Sequence, residues 1–159
     1  MIKIISYQNT HQDDIDEMMQ EISSEFDDPI SLNPTDSISN DMSAYWVALY
    51  NDRVIGTIAI IAVKKKFSIL KKMMLKKSFR GREFGVSKIL LQTVINWCID
   101  NNIDQIYLGT MNQFKAAQLF YKNNGFQRIL ENELPNGFMN NPLDTVFFRL
   151  KLTDRNSIN

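Results

Sequence analysis

The sequence predicts an α/β domain built on a mixed sheet. Three observations predict it. Short runs rich in β-branched and aromatic residues alternate with longer stretches of helical period. Three of the strand-like runs follow one another with only tight turns between them. The resulting order, β-α-(α)-β-β-β-α-β-α-β-β, departs from a strict βα repeat and so from a Rossmann-type sheet. The 159 residues, 44% hydrophobic and 23% charged, suit one soluble domain over residues 1–152 with a polar tail over 153–159.

Residues 2–7 are apolar enough for a first strand. Thr10 then reads as a helix N-cap, with Asp13 at the capping-box position. Ile15, Met18, Met19, Ile22 and Phe26 follow at helical spacing, giving a helix over about 11–26. Residues 27–40 are polar, carry Pro29 and Pro34, and read as a loop with a short helix near 35–41. Residues 45–50, 54–63 and 67–75 form a meander, its turns at Asn51-Asp52-Arg53 and Lys64-Lys65-Lys66. Gly56, inside the second of these strands, signals a bulge or a close backbone approach. The next helix carries Val86, Ile89, Leu90, Val94, Trp97 and Cys98 on one face and ends at Asn101-Asn102. A short strand at 106–108, a helix at 114–123 with Gly125 as its C′ residue, and strands at 126–130 and 146–152 complete the chain.

Eighteen basic and eighteen acidic residues cancel, so bulk charge does not favour nucleic-acid binding. The charge is nevertheless sorted. Asp13, Asp14, Asp16, Glu17, Glu21, Glu25, Asp27, Asp28, Asp36 and Asp41 occur with no Lys or Arg among them. Lys64, Lys65, Lys66, Lys71, Lys72, Lys76, Lys77, Arg80, Arg82 and Lys88 are opposed only by Glu83. Such segments either attract each other or present local fields to ligands. A single cysteine, Cys98, and a single histidine, His11, exclude an intrachain disulfide and a Cys/His metal cluster; no metal is expected. No apolar run approaches the roughly 20 residues of a membrane span, and no signal-peptide pattern opens the chain, so a cytoplasmic location is expected.

The chemistry concentrates at Arg80-Gly81-Arg82-Glu83-Phe84-Gly85, where a strand gives way to a helix. Glycines allow a tight turn and close approach of a ligand, and the first helical N–H groups with the helix dipole attract anions. Gly85 is followed by Val86, so this is not a Walker A loop. The hexapeptide resembles the R/Q-x-x-G-x-G/A signature of the GNAT (Gcn5-related) N-acetyltransferases. Downstream, Ala117-Gln118-Leu119-Phe120-Tyr121-Lys122-Asn123-Asn124-Gly125-Phe126 resembles the A-x-x-x-Y-x-x-x-G-F segment of the same family.

That resemblance implies a mostly antiparallel mixed sheet with helices on both faces and a cleft where the fourth and fifth strands splay. It implies acetyl-CoA as cofactor, an amine as acceptor and direct acetyl transfer between them. The pyrophosphate would lie on Arg80, Gly81, Arg82, Glu83, Phe84, Gly85 and Val86. The pantetheine would pair with the backbone of Met73, Met74 and Leu75, whose last N–H would be the oxyanion donor, and Tyr121 would protonate the leaving thiolate. Glu83 stands where the signature prefers glycine, and Phe114 where many relatives carry Asn; Asn112 is the substitute candidate for cofactor contact. No acid lies on the fourth strand, so Glu25, Asp27, Asp28, Asp144 or a water relay remain open as base. Glu25, Asp27 and Asp28, in the acidic segment, form the expected substrate-binding wall and favour a cationic acceptor. The competing reading is a non-catalytic CoA sensor, or a protein docking nucleic acid through 64–88. Neither nucleic acid nor membrane is the expected partner; oligomerisation stays open, with the 135–142 loop or the last strand as a candidate homodimer edge.

Overall fold

The structure, a computed structural model, describes residues 1–26, 42–81, 83–139 and 141–152. Its elements are β1 (Ile2–Ser6), α1 (Gln12–Ser23), β2 (Ala44–Tyr50), β3 (Arg53–Val63), β4 (Phe67–Leu75), α2 (Val86–Asp100), β5 (Gln105–Thr110), α3 (Lys115–Asn123), β6 (Gln127–Ile129) and β7 (Val146–Lys151). The strands run in the order β1-β2-β3-β4-β5-β7-β6. Pairs β1–β2, β2–β3, β5–β7 and β6–β7 are antiparallel, while β4–β5 is parallel. The parallel pairing runs over Ser68↔Ile106 and Ile69↔Tyr107, at the start of β4. The short helix expected near 35–41 lies outside the described residues.

Two compact units can be distinguished, Met1–Ile61 with Lys71–Trp97, and Ala62–Leu70 with Cys98–Asn159. In the first, α1 lays Ile15, Met18, Met19 and Ile22 on Val47, Leu49, Val54 and Met74, with Tyr7, Phe26 and Tyr45 packed at the margin. This is the stripe the helical spacing predicts, and each such burial stabilises by about 1.5–3 kcal/mol. The rings of Tyr7 and Tyr45 stack at 4.6 Å.

The start of α1 differs from the expectation of a Thr10 cap. Asn9–His11 forms a 3-10 turn first, and the backbone N–H of Gln8 donates to His11 Nδ1 at 3.0 Å. The only histidine therefore closes a turn. On α2, the buried stripe is Val86, Leu90, Leu91, Val94, Ile95 and Cys98, whereas Ile89 is 44% exposed. The stripe follows the i, i+4 rows, so the face is rotated away from the Ile89 and Trp97 side.

Gly56 fulfils both of its expected roles. Register in the β2–β3 pair passes from Ala48↔Gly56 to Leu49↔Val54, which leaves Ile55 bulged. A Cβ on Gly56 would also lie 3.0 Å from the Met74 carbonyl oxygen and 3.0 Å from Leu75 Cδ1.

In the second unit, β7 lies between β5 and β6, and Phe148 is fully buried. Cys98 is buried with its Sγ 3.4 Å from Ser68 Oγ, and burial pushes its thiol pKa up. It is a packing residue rather than a nucleophile. Among the described residues no helix is long and apolar enough to cross a membrane.

Candidate active site

The end of β4 is shaped by an irregularity. Lys72 has a φ of 56°, a left-handed conformation that costs a non-glycine residue energy. The fully buried Thr57 on β3 stabilises it, donating from Oγ1 to the Lys72 carbonyl at 2.6 Å. Sequence reading passed over Thr57. Its signal was a hydroxyl inside the otherwise apolar run 54–63. Beyond Lys72, Met73 is half-buried and Met74 and Leu75 are buried.

The peptide unit joining Leu75 to Lys76 is held at both ends. The Lys76 N–H donates to the Ile55 carbonyl at 2.8 Å, and the Leu75 carbonyl accepts from Arg80 Nε at 2.9 Å. A 3-10 turn, Lys77–Phe79, then leads to Arg80. Gly81 and Gly85 have φ of 111° and 64°. A Cβ at either would meet nothing within 4 Å, so backbone conformation, and not crowding, calls for glycine here. Between them, Glu83 is exposed and Phe84 is 41% exposed. The Phe84 ring lies 5.2 Å from Phe79, whose ring lies 5.1 Å from Tyr50. This aromatic row holds the far side of the loop, while Arg80 holds the near side.

The Gly85 carbonyl accepts the α2 bond from Ile89 N at 3.1 Å. The first turn of α2 contains no acidic residue, so no carboxylate of the helix itself neutralises its positive end. Open left-handed glycines, first-turn N–H groups that have no partner within the helix and a nearby guanidinium fit a phosphate-bearing cofactor.

The expected acidic wall is placed differently. Glu25 receives Arg80 Nη1 at 2.6 Å on one carboxylate oxygen and Arg80 Nη2 at 3.0 Å on the other. Lys76 Nζ lies 4.0 Å from Glu21. Part of the acidic segment thus meets part of the basic one. Asp27, Asp28 and Arg82 lie outside the described residues.

In the second unit, Tyr121 on α3 is 5% exposed. Its ring packs on Phe120, Phe126 and Phe148, with centroids 5.4 to 5.9 Å apart. Burial, and then the Asp144 charge, push its phenol pKa well above the ordinary value. Gly125 ends α3 at a φ of 95°, as its placement at C′ predicts. The Asn124 and Phe126 N–H groups return to the Tyr121 carbonyl.

Asn112 is exposed, and its side chain accepts from Lys115 Nζ at 2.9 Å. Its carbonyl and that of Met111 both accept from Gln118 Nε2 at 3.1 Å. Gln118, unassigned by sequence reading, closes the turn before α3. Asp144 lies against β5: its Oδ2 is 2.9 Å from where a Gly109 Cβ would stand. Phe147 pairs with Gly109, and Phe148 with Leu108. Successive residues point to opposite faces. Asp144, beside Phe147, and Tyr121, beside Phe148, therefore flank the end of β5 from opposite sides.

Among the described residues no group of three or more His, Cys, Asp or Glu could hold a metal ion.

Comparison with known proteins agrees with this geometry. A profile described as "Acetyltransferase (GNAT) domain" matches residues 41–128. A GNAT-family acetyltransferase from Staphylococcus aureus has a TM-score of 0.85 and 33% identity, over 96% of this chain and 99% of that one. An N-acetylaspartate synthetase of Danio rerio is 33% identical over 113 residues, 69% of this chain. The matched region spans 39% of that relative's length. The N-acetylglutamate synthase of Neisseria gonorrhoeae shares the fold at 13% identity and a TM-score of 0.76, over 96% of this chain and 35% of that one. By its family profile and its 33% identity to a GNAT-family acetyltransferase of the same fold, this chain belongs to the GNAT acetyltransferase family.

Proposed function

We propose that the chain transfers an acetyl group from acetyl-CoA to a primary amine. The observation that carries this reading is the segment from Leu75 to Val86: a strand end, a loop with two left-handed glycines, and a helix start free of acids in its first turn. The gonococcal N-acetylglutamate synthase was solved with coenzyme A bound, which supports the same ligand here.

Acetyl-CoA supplies an activated thioester. The protein's part is to bind, orient and move protons. Backbone N–H groups of Gly81, Glu83, Phe84, Gly85 and Val86 would receive the pyrophosphate, with Arg80 and Arg82 adding charge. Met73, Met74 and Leu75 would align the pantetheine as an added strand, and Asn112 would contact the cofactor from the turn before α3. Tyr121 stays protonated through neutral pH and so remains a donor for the departing sulfur. Asp144, on the face of β5 away from Tyr121, or a water relay would take the proton of the amine. Of the acids expected to meet a cationic acceptor, Asp27 and Asp28 keep that role, while Glu25 is already paired. Relatives named for N-acetylated acidic amino acids make aspartate the contrasting acceptor to assay.

Calorimetric titration with acetyl-CoA, and with CoA lacking the 3′-phosphate, tests the reading. One-site binding is expected. Gly85→Glu should abolish it, through the left-handed φ and the added charge. Failure of the unaltered protein to bind overturns the reading. Thiol release with spermidine and with aspartate then assigns the charge of the acceptor.

A further inference from the structure

Glu25 and Arg80 are 55 residues apart in sequence, yet they form a two-point fork, 2.6 and 3.0 Å long, on partly buried side chains. An exposed ion pair of ordinary geometry contributes little. This one has a third arm. The same guanidinium donates through Nε to the carbonyl of Leu75, the last residue of β4. Three of the five arginine N–H groups are thereby engaged, which fixes the plane of the guanidinium. Glu25 itself is anchored: its N–H donates to the Ile22 carbonyl, and Ile22 is part of the α1 core stripe. The fork therefore ties the end of α1, the end of β4 and the entrance of the glycine loop together.

We propose that Glu25 is a positioning residue for the cofactor loop: its carboxylate fixes Arg80, and through Arg80 the Leu75 carbonyl, in the arrangement that receives acetyl-CoA. This rests on the acetyl-CoA reading above, and it removes Glu25 from recognition of the amine. The consequence has a counterintuitive sign. If Glu25 acted only as a nearby negative charge, its removal would tighten binding of a polyanionic cofactor. As the anchor of Arg80, its removal weakens that binding.

The test is acetyl-CoA affinity by calorimetry for the unaltered protein and for Glu25→Gln, Glu25→Asp, Arg80→Gln and the double variant Glu25→Gln/Arg80→Gln. Thermal midpoints serve as a check on folding. Glu25→Gln is expected to raise Kd about tenfold, equivalent to about 1.4 kcal/mol. Glu25→Asp should recover part of the loss, and the double variant should match Arg80→Gln alone, because Glu25 acts through Arg80. Unchanged or tighter binding by Glu25→Gln, or additive losses in the double variant, overturns the proposal. If the unaltered protein does not bind acetyl-CoA, the functional reading falls and this proposal falls with it. Binding by the unaltered protein with no loss in Glu25→Gln defeats this proposal alone.

Discussion

The segment from Leu75 to Val86 and the surroundings of Tyr121 are built on opposite physics. The first is open and polar. Its glycines are left-handed with empty space beyond them, and its shape is held by one guanidinium and one row of rings. The second is closed and apolar, a phenol among three phenylalanine rings. An anion site needs backbone N–H groups that water, and then a ligand, can reach. Burial keeps the phenol protonated and also makes it a weaker acid. One fold supplies both environments by ending a strand in a turn at the first and covering a helix with aromatic residues at the second.

The contrast predicts that the two regions fail in different ways. The largest effect is expected from Tyr121→Phe, which keeps the ring packing and removes only the hydroxyl. Turnover should fall about 10²–10³-fold while acetyl-CoA affinity stays within twofold. Equal losses in both would show that Tyr121 serves packing or binding rather than proton transfer. Next is Thr57→Val, which removes the buried donor to the Lys72 carbonyl. It should destabilise the protein by about 1–3 kcal/mol in urea unfolding. An unchanged midpoint would mean that the left-handed residue in β4 holds without that hydroxyl. The smallest effect concerns alkaline pH. The pKa values of Tyr121 and Tyr45 are raised in the folded protein, chiefly by burial. Above about pH 10 the unfolded chain releases phenolic protons that the folded chain retains, so stability is full below that pH and declines above it. Each tyrosine contributes a loss of about 1 kcal/mol by pH 11. Tyr121→Phe should remove its own contribution, and an identical decline would exclude Tyr121 as a source.

Much of this was legible beforehand because it is local. The α1 core stripe follows from period alone, Gly125 at C′ from its place after a helix, and the glycine loop from two residues that tolerate positive φ. What was misread depended on hydrogen bonds and packing that residue spacing does not announce. His11 displaced Thr10 as the closing group of the first turn because its Nδ1 reaches back to Gln8. Ile89 was assigned to the buried face of α2 because a helical wheel gives a stripe but not the neighbour against which it turns. Asn112, Gln118 and Thr57 carry hydrogen bonds that spacing does not announce.

The acidic segment shows the division most clearly. Its composition was visible in the chain, and so was the ambiguity between mutual attraction and a ligand-facing wall. Sequence by itself determined the order of elements, the two family motifs and the sorted charge, since periodicity, turn chemistry and composition act over a few residues. Tertiary structure alone decided that Glu25 meets Arg80 and that Asp144 and Tyr121 stand on opposite faces of β5. Glu25 and Arg80 are far apart in the chain and meet only because α1 packs on its strands; Asp144 and Tyr121 take their places only because β7 lies beside β5.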